Sequence, residues 1–117
     1  MKAVANVLVA AVAVLHLMFL VLEMFLWTKP FGRRTFGLTP ELAEASAKLA
    51  ANQGLYNGFL AAGLIWGLVG SSFDVRVFFL GCVIVAGIFG AFTAKRSILW
   101  VQALPGAIAL AAVLAAR

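Results

Sequence analysis

Residues 3–27 read AVANVLVAAVAVLHLMFLVLEMFLW. Between Lys2 and Lys29 the only ionisable side chains are His16 and Glu23. Crossing a hydrocarbon layer of about 30 Å takes roughly 20 apolar residues in an α-helix, and this run supplies them. The triplet Ala11-Val12-Ala13 after Lys2 has the composition of a signal-peptide cleavage site. It lies inside the apolar stretch rather than at its far end, so the run reads as a retained first span.

The rest of the chain repeats the pattern. Lys29-Pro30 and Gly32-Arg33-Arg34 break the first run, because proline cannot continue a helix and cations prefer headgroups. Residues 28–38 then read as a short, basic, aromatic connection. Thr39-Pro40-Glu41 is a helix start: Thr39 as N-cap, Pro40 in the first turn, Glu41 favoured by the dipole. That helix runs to Val69, roughly 45 Å at 1.5 Å per residue, so Glu41, Glu44 and Lys48 project into the interface. Its spanning part is about 44–69, and Gly70-Ser71-Ser72 ends it. A third span covers about 75–94, stopped by Lys95-Arg96. A fourth covers about 97–116, with Pro105-Gly106 inside it.

The expected fold is therefore an all-α membrane protein, one domain of four transmembrane helices in an up-down-up-down antiparallel bundle. Composition agrees, since 65% of residues are hydrophobic and 11% charged, too few polar groups to cover a soluble domain. Six basic residues (Lys29, Arg33, Arg34, Lys48, Lys95, Arg96) lie near the first and third connections, against three (Lys2, Arg76, Arg117) on the other side. The positive-inside rule then puts connections 28–39 and 95–96 in the cytoplasm and both termini outside a plasma (inner) membrane.

Several chemistries drop out. The net charge of +5 comes from cations at span ends, which serve as headgroup anchors, so no nucleic-acid partner is expected. Cys82 is the single cysteine and allows no intramolecular disulfide; it reads as a packing residue. One histidine and one cysteine on different helices make a poor metal site, so none is expected. Phosphate-binding glycine loops and nucleophile motifs are missing, and no cofactor is expected.

Polar groups inside spans are the functional candidates. His16 and Glu23 are seven residues apart, within about 20° of one helix face and about 10 Å along the axis, too far to bond directly. On the second helix Lys48, Asn52 and Tyr56 follow at spacing four, with Gln53 and Asn57 alongside. An antiparallel hairpin sets Glu23 near the level of Lys48 and Asn52, and His16 near Tyr56 and Asn57. Gln102 on the fourth helix enters at similar depth, and Trp27, Tyr56 and Trp100 are candidate walls. Pro105 should free the carbonyl of Val101 and bend the helix there. The bland readings stand beside these: Glu23 as a structural partner of amides or of Lys48, Lys48 paired with Glu44, the amides as interhelical glue, the tryptophans as interface anchors.

Small residues recur at spacing four in Gly54-Gly58-Ala62, Gly63-Gly67 and Ala86-Gly90-Ala94. More such ridges than four helices can use internally point to a homo-oligomer.

The segments Leu15-His16-Leu17, Leu22-Glu23-Met24-Phe25-Leu26-Trp27 and Phe36-Gly37-Leu38 carry a resemblance, and Ala50 to Gly63 (AANQGLYNGFLAAG) carries it most specifically. Together they resemble a family of small bacterial integral membrane proteins catalogued as domain of unknown function 1304. The resemblance covers the whole chain, implies the four-span topology and transfers no catalytic residues.

Three functions fit these residues. The first is a small oligomeric binding or transport protein that holds a small polar or cationic molecule, or relays protons, through Glu23 and the amides. Small multidrug exporters share its size and a first-helix glutamate, an analogy of plan without a shared motif. The second is a membrane enzyme of the glutathione- and lipid-handling kind. The third is a structural or assembly protein that docks through its glycine ridges.

Overall fold

The computed structural model describes residues 1–117 and is all-helical, with no strand. Five α-helices follow in order: α1 Lys2–Met24, α2 Pro30–Phe36, α3 Pro40–Val69, α4 Phe73–Thr93 and α5 Leu104–Ala115, the last preceded by a π-helical turn over Leu99–Ala103. Of the four expected spans, α1 and α4 are long and apolar enough to cross a membrane. Leu99–Ala115 is apolar but shorter, and α3 carries Glu41, Glu44, Lys48, Asn52 and Gln53 in its first half.

The chain forms two compact units: Met1–Val14 with Leu60–Arg117, and Leu15–Phe59. The first has an apolar core of Ala5, Val9, Val12, Ala13, Leu64, Leu80, Val83, Ala109 and Val113. Glycine sets the helix spacing within it. A Cβ on Gly67 would meet Arg76 Cγ at 2.6 Å, and one on Gly87 would meet the backbone N of Ala103 at 2.6 Å. Gly90 faces Ile98, Gly87 faces Ala103 and Gly106 faces Val83, so α4 and the last helical stretch run antiparallel. Gly63 against Phe79 and Gly67 against Arg76 give α4 the same relation to the end of α3. The glycines read as a docking surface thus pack inside the chain, and the ridge members left exposed are Ala62, Ala86 and Ala94.

In the second unit Gly54 and Gly58 let α3 lie close against the end of α1. A Cβ at Gly54 would sit 2.7 Å from Met24 Cγ and 3.1 Å from Glu23 Cβ, and one at Gly58 would sit 2.7 Å from Leu20 Cδ1.

Local chemistry explains the ends. Thr39 Oγ1 accepts from the Leu42 amide at 3.1 Å, the N-cap expected of it. Ser72 Oγ caps α4 through the Val75 amide at 3.2 Å. The connection after α1 contains a helix the sequence reading did not foresee, because Pro30 opens α2 instead of only closing α1: with φ preset and no amide to satisfy, proline suits the first helical position. Gly37, at φ 65°, ends α2 with the Gly37 and Leu38 amides on the Arg34 and Arg33 carbonyls. Pro105 does not simply bend a regular helix either. The turn before it widens, and the Leu104 amide reaches back five residues to the Leu99 carbonyl, which relieves the clash a proline ring makes with the carbonyl four residues earlier.

Candidate functional site: a glutamate held by an amide

Glu23 is the sole carboxylate of α1. It lies one residue before the end of that helix and is half-buried. Asn57 of α3 is buried and donates its side-chain Nδ2–H to Glu23 Oε1. The absence of a side chain at Gly54 brings the two helices near enough for this bond, since Gly54 packs on Cβ of Glu23 itself. His16, seven residues before Glu23, is fully buried and meets Phe19 edge to face with ring centroids 5.3 Å apart.

Glu23 therefore sits at the level of Gly54 and Asn57, about a turn further along α3 than the Lys48–Asn52 level expected. The expectation took α1 to be helical to Trp27. In fact α1 ends at Met24 and the connection holds a helix of its own, α2, so the two long helices meet in a different register. Trp27 consequently reaches Ser46, with Nε1 donating to Oγ at 3.0 Å, while Ser46 donates in turn to the Leu42 carbonyl at 2.7 Å. The Trp27 ring also rests on Phe36, centroids 4.8 Å apart. This Trp27–Ser46–Phe36 contact, which joins the connection to α3, escaped the sequence reading. An indole beside a membrane boundary is ordinarily an anchor, and Ser46 carries no signal of its own.

The other expected members lie elsewhere. Lys48, Asn52, Gln53 and Tyr56 are exposed on α3; Lys48 and Asn52 lie across the helix from Asn57, and Gln53 lies one turn before it. Gln102 is half-buried on the π turn of the other compact unit, and Trp100 of that turn is exposed. Shallow apolar grooves open beside Ala3, Val4, Val7 and Leu8, and along Val77 to Phe89 of α4; none of the site residues lines them. What is brought together is one carboxylate and one amide that orients it, with the buried imidazole of His16 two turns away on the same helix. Such a set can hold a cation or a hydrogen-bond donor, or pass a proton; it has neither a nucleophile nor a metal-ligand cluster.

A second polar pair missed in the sequence is Asn6 with Arg76. Arg76 Nη1 donates to Asn6 Oδ1 at 3.0 Å and its Nε donates to the Ser72 carbonyl at 3.0 Å, so this cation is tied into the start of α4. Arg117 lies over the Phe73 ring, 4.3 Å from its centroid. Asn6 was legible only as a lone polar residue in an apolar run.

Residues 10–114 match the model of a family described as protein of unknown function, DUF1304. The chain belongs to that family. The match takes in Glu23, Asn57 and the whole Ala50–Gly63 block, in agreement with the resemblance those residues carry. No curated protein and no solved structure matches the chain. Family membership brings no activity with it, so any function has to be argued from the residues.

Proposed function

We propose that this is an integral protein of the bacterial inner membrane with four spans, both termini outside, and that Glu23 is its functional centre, binding a small polar or cationic molecule or relaying protons. The membrane reading is supported by where the apolar surface lies. The most apolar stretch of α4 is only 17% buried within the chain, whereas the core helix of a soluble protein would bury most of it. Phe92 is 87% exposed, and Phe78, Phe89 and Trp66 also point outward, a surface suited to lipid.

One observation carries the functional reading. A lone carboxyl group on an apolar helix is bonded to a neutral amide, so it is oriented by a partner that brings no opposing charge. An ionisable group in such a place is costly, and a binding or relay role explains its presence. Asn57 holds one oxygen, which leaves lone pairs on the carboxylate for a ligand donor.

Native mass spectrometry of the protein extracted gently from its own membrane, alongside Glu23→Gln, tests this. A retained small molecule that Glu23→Gln loses is the expected result. If the ligand is a cation, its retention should also fall as pH is lowered, since protonation removes the charge that holds it, and Glu23→Gln should abolish that dependence. A protein that is empty and indistinguishable from Glu23→Gln would favour the structural reading instead, with Glu23 and Asn57 as interhelical glue.

A further inference from the structure

Among exposed Leu42, Leu49, Leu55 and Phe59, the outer face of α3 carries a stripe of polar residues that the exposed groove of α4 lacks. Along α4 the exposed groove is lined by Val77, Phe78, Val85 and Phe89, which lipid tails satisfy. Along α3 the exposed residues Glu44, Lys48, Asn52 and Tyr56 follow at spacing four, with Gln53 beside them. Asn52, Gln53 and Tyr56 lie in the middle of the helix, between Pro40 and Val69. Lipid tails offer carboxamides no hydrogen-bond partner, so a stripe of this kind calls for one from protein.

We infer that the outward stripe of α3 from Glu44 to Tyr56 is where a second copy of this chain docks, the same face against itself about a two-fold axis along the membrane normal. The inference rests on the membrane reading above and names the partner of a surface that reading leaves open. Self-complementarity selects the occupant. A carboxamide is donor and acceptor at once, so Asn52 and Gln53 of one copy pair with those of the other, as polar residues do in the seams of coiled coils. Glu44 and Lys48 have opposite sign one turn apart, so across this axis Lys48 of one copy pairs with Glu44 of the other by reaching one turn along the helix. An isologous interface needs only that one face complement itself, and this face does. The glycine ridges do not supply the contact, because they are taken up inside the chain.

Disulfide trapping in isolated native membranes tests the inference, with Cys82→Ala as background and single cysteines introduced as Asn52→Cys, Tyr56→Cys or Phe92→Cys. Mild oxidation should yield dimer from Asn52→Cys and Tyr56→Cys, at least about tenfold more than from Phe92→Cys on α4; that ratio follows from interhelical polar contacts of ~1–2 kcal/mol converted to an equilibrium constant. Equal trapping at all three sites, or none at Asn52→Cys and Tyr56→Cys, overturns it. Asn52→Leu with Gln53→Leu supplies a readout free of cysteine: in mild detergent the wild type should scatter light as a dimer and this variant as a monomer, and a variant that stays dimeric overturns the inference. A carbonate wash separates the two claims. A chain that washes off the membrane brings down the membrane reading and this inference with it, whereas a chain that stays without trapping brings down the inference alone.

Discussion

Asn57 turns inward while Asn52 and Gln53, five and four residues before it, are exposed. A helix advances about 100° per residue, so Asn52 lies about 140° round from Asn57, whereas Gln53, about 40° away, shares its side and is exposed one turn earlier. Which amide met the carboxylate depended on interhelical register, and register depended on where α1 stopped. The Asn57–Glu23 bond allows a test of its structural share apart from its function. Glu23→Gln keeps an oxygen for Asn57 to donate to, so unfolding in detergent should shift by within about 1 kcal/mol. Glu23→Leu leaves the buried amide unpaired and should cost about 1–3 kcal/mol. Equal losses in the two variants would mean that the carboxylate charge itself, rather than hydrogen-bond satisfaction, holds the helices together.

At the scale of elements, the two helix ends that use a left-handed residue differ in a telling way. Gly37 closes α2 at φ 65°, where glycine suffers no Cβ clash. Ser71 closes α3 at φ 50° with the same pair of bonds, its own amide to the Leu68 carbonyl and that of Ser72 to the Gly67 carbonyl. Ser71→Gly should therefore stabilise the protein by up to about 1 kcal/mol, and Gly37→Ala should destabilise it by about as much, both read by thermal unfolding in detergent. The long helix Pro40–Val69 was legible to its ends because Thr39-Pro40-Glu41 and Gly70-Ser71-Ser72 punctuate it. Helix α2 was not, since a proline that stops one helix is locally identical to one that starts the next. The π turn before Pro105 was half legible: proline announces a disturbance but not the form it takes.

For the whole molecule, the decisive quantity is apolar surface that faces outward, and topology is its testable consequence. Alkaline phosphatase fused after Arg117 should be active and a fluorescent protein there dark, with the reverse for fusions in the 95–96 connection. The opposite pattern would show that six cations against three do not set the orientation, and would move the Glu23 level to the other half of the bilayer.

Composition, run length and cap residues determined from the sequence alone that the chain is helical, where α3 and α4 begin and end to within a residue or two, and that Glu23 stands out as a lone carboxylate on an apolar helix. These are local matters: periodicity and propensity act within one stretch of chain. Tertiary structure decided which polar residues meet. Glu23 reached Asn57 and not Lys48, Trp27 reached Ser46, and Asn6 reached Arg76, because the pairing of side chains from different helices depends on helix ends, glycine-set spacing and rotation, none of which any single segment encodes.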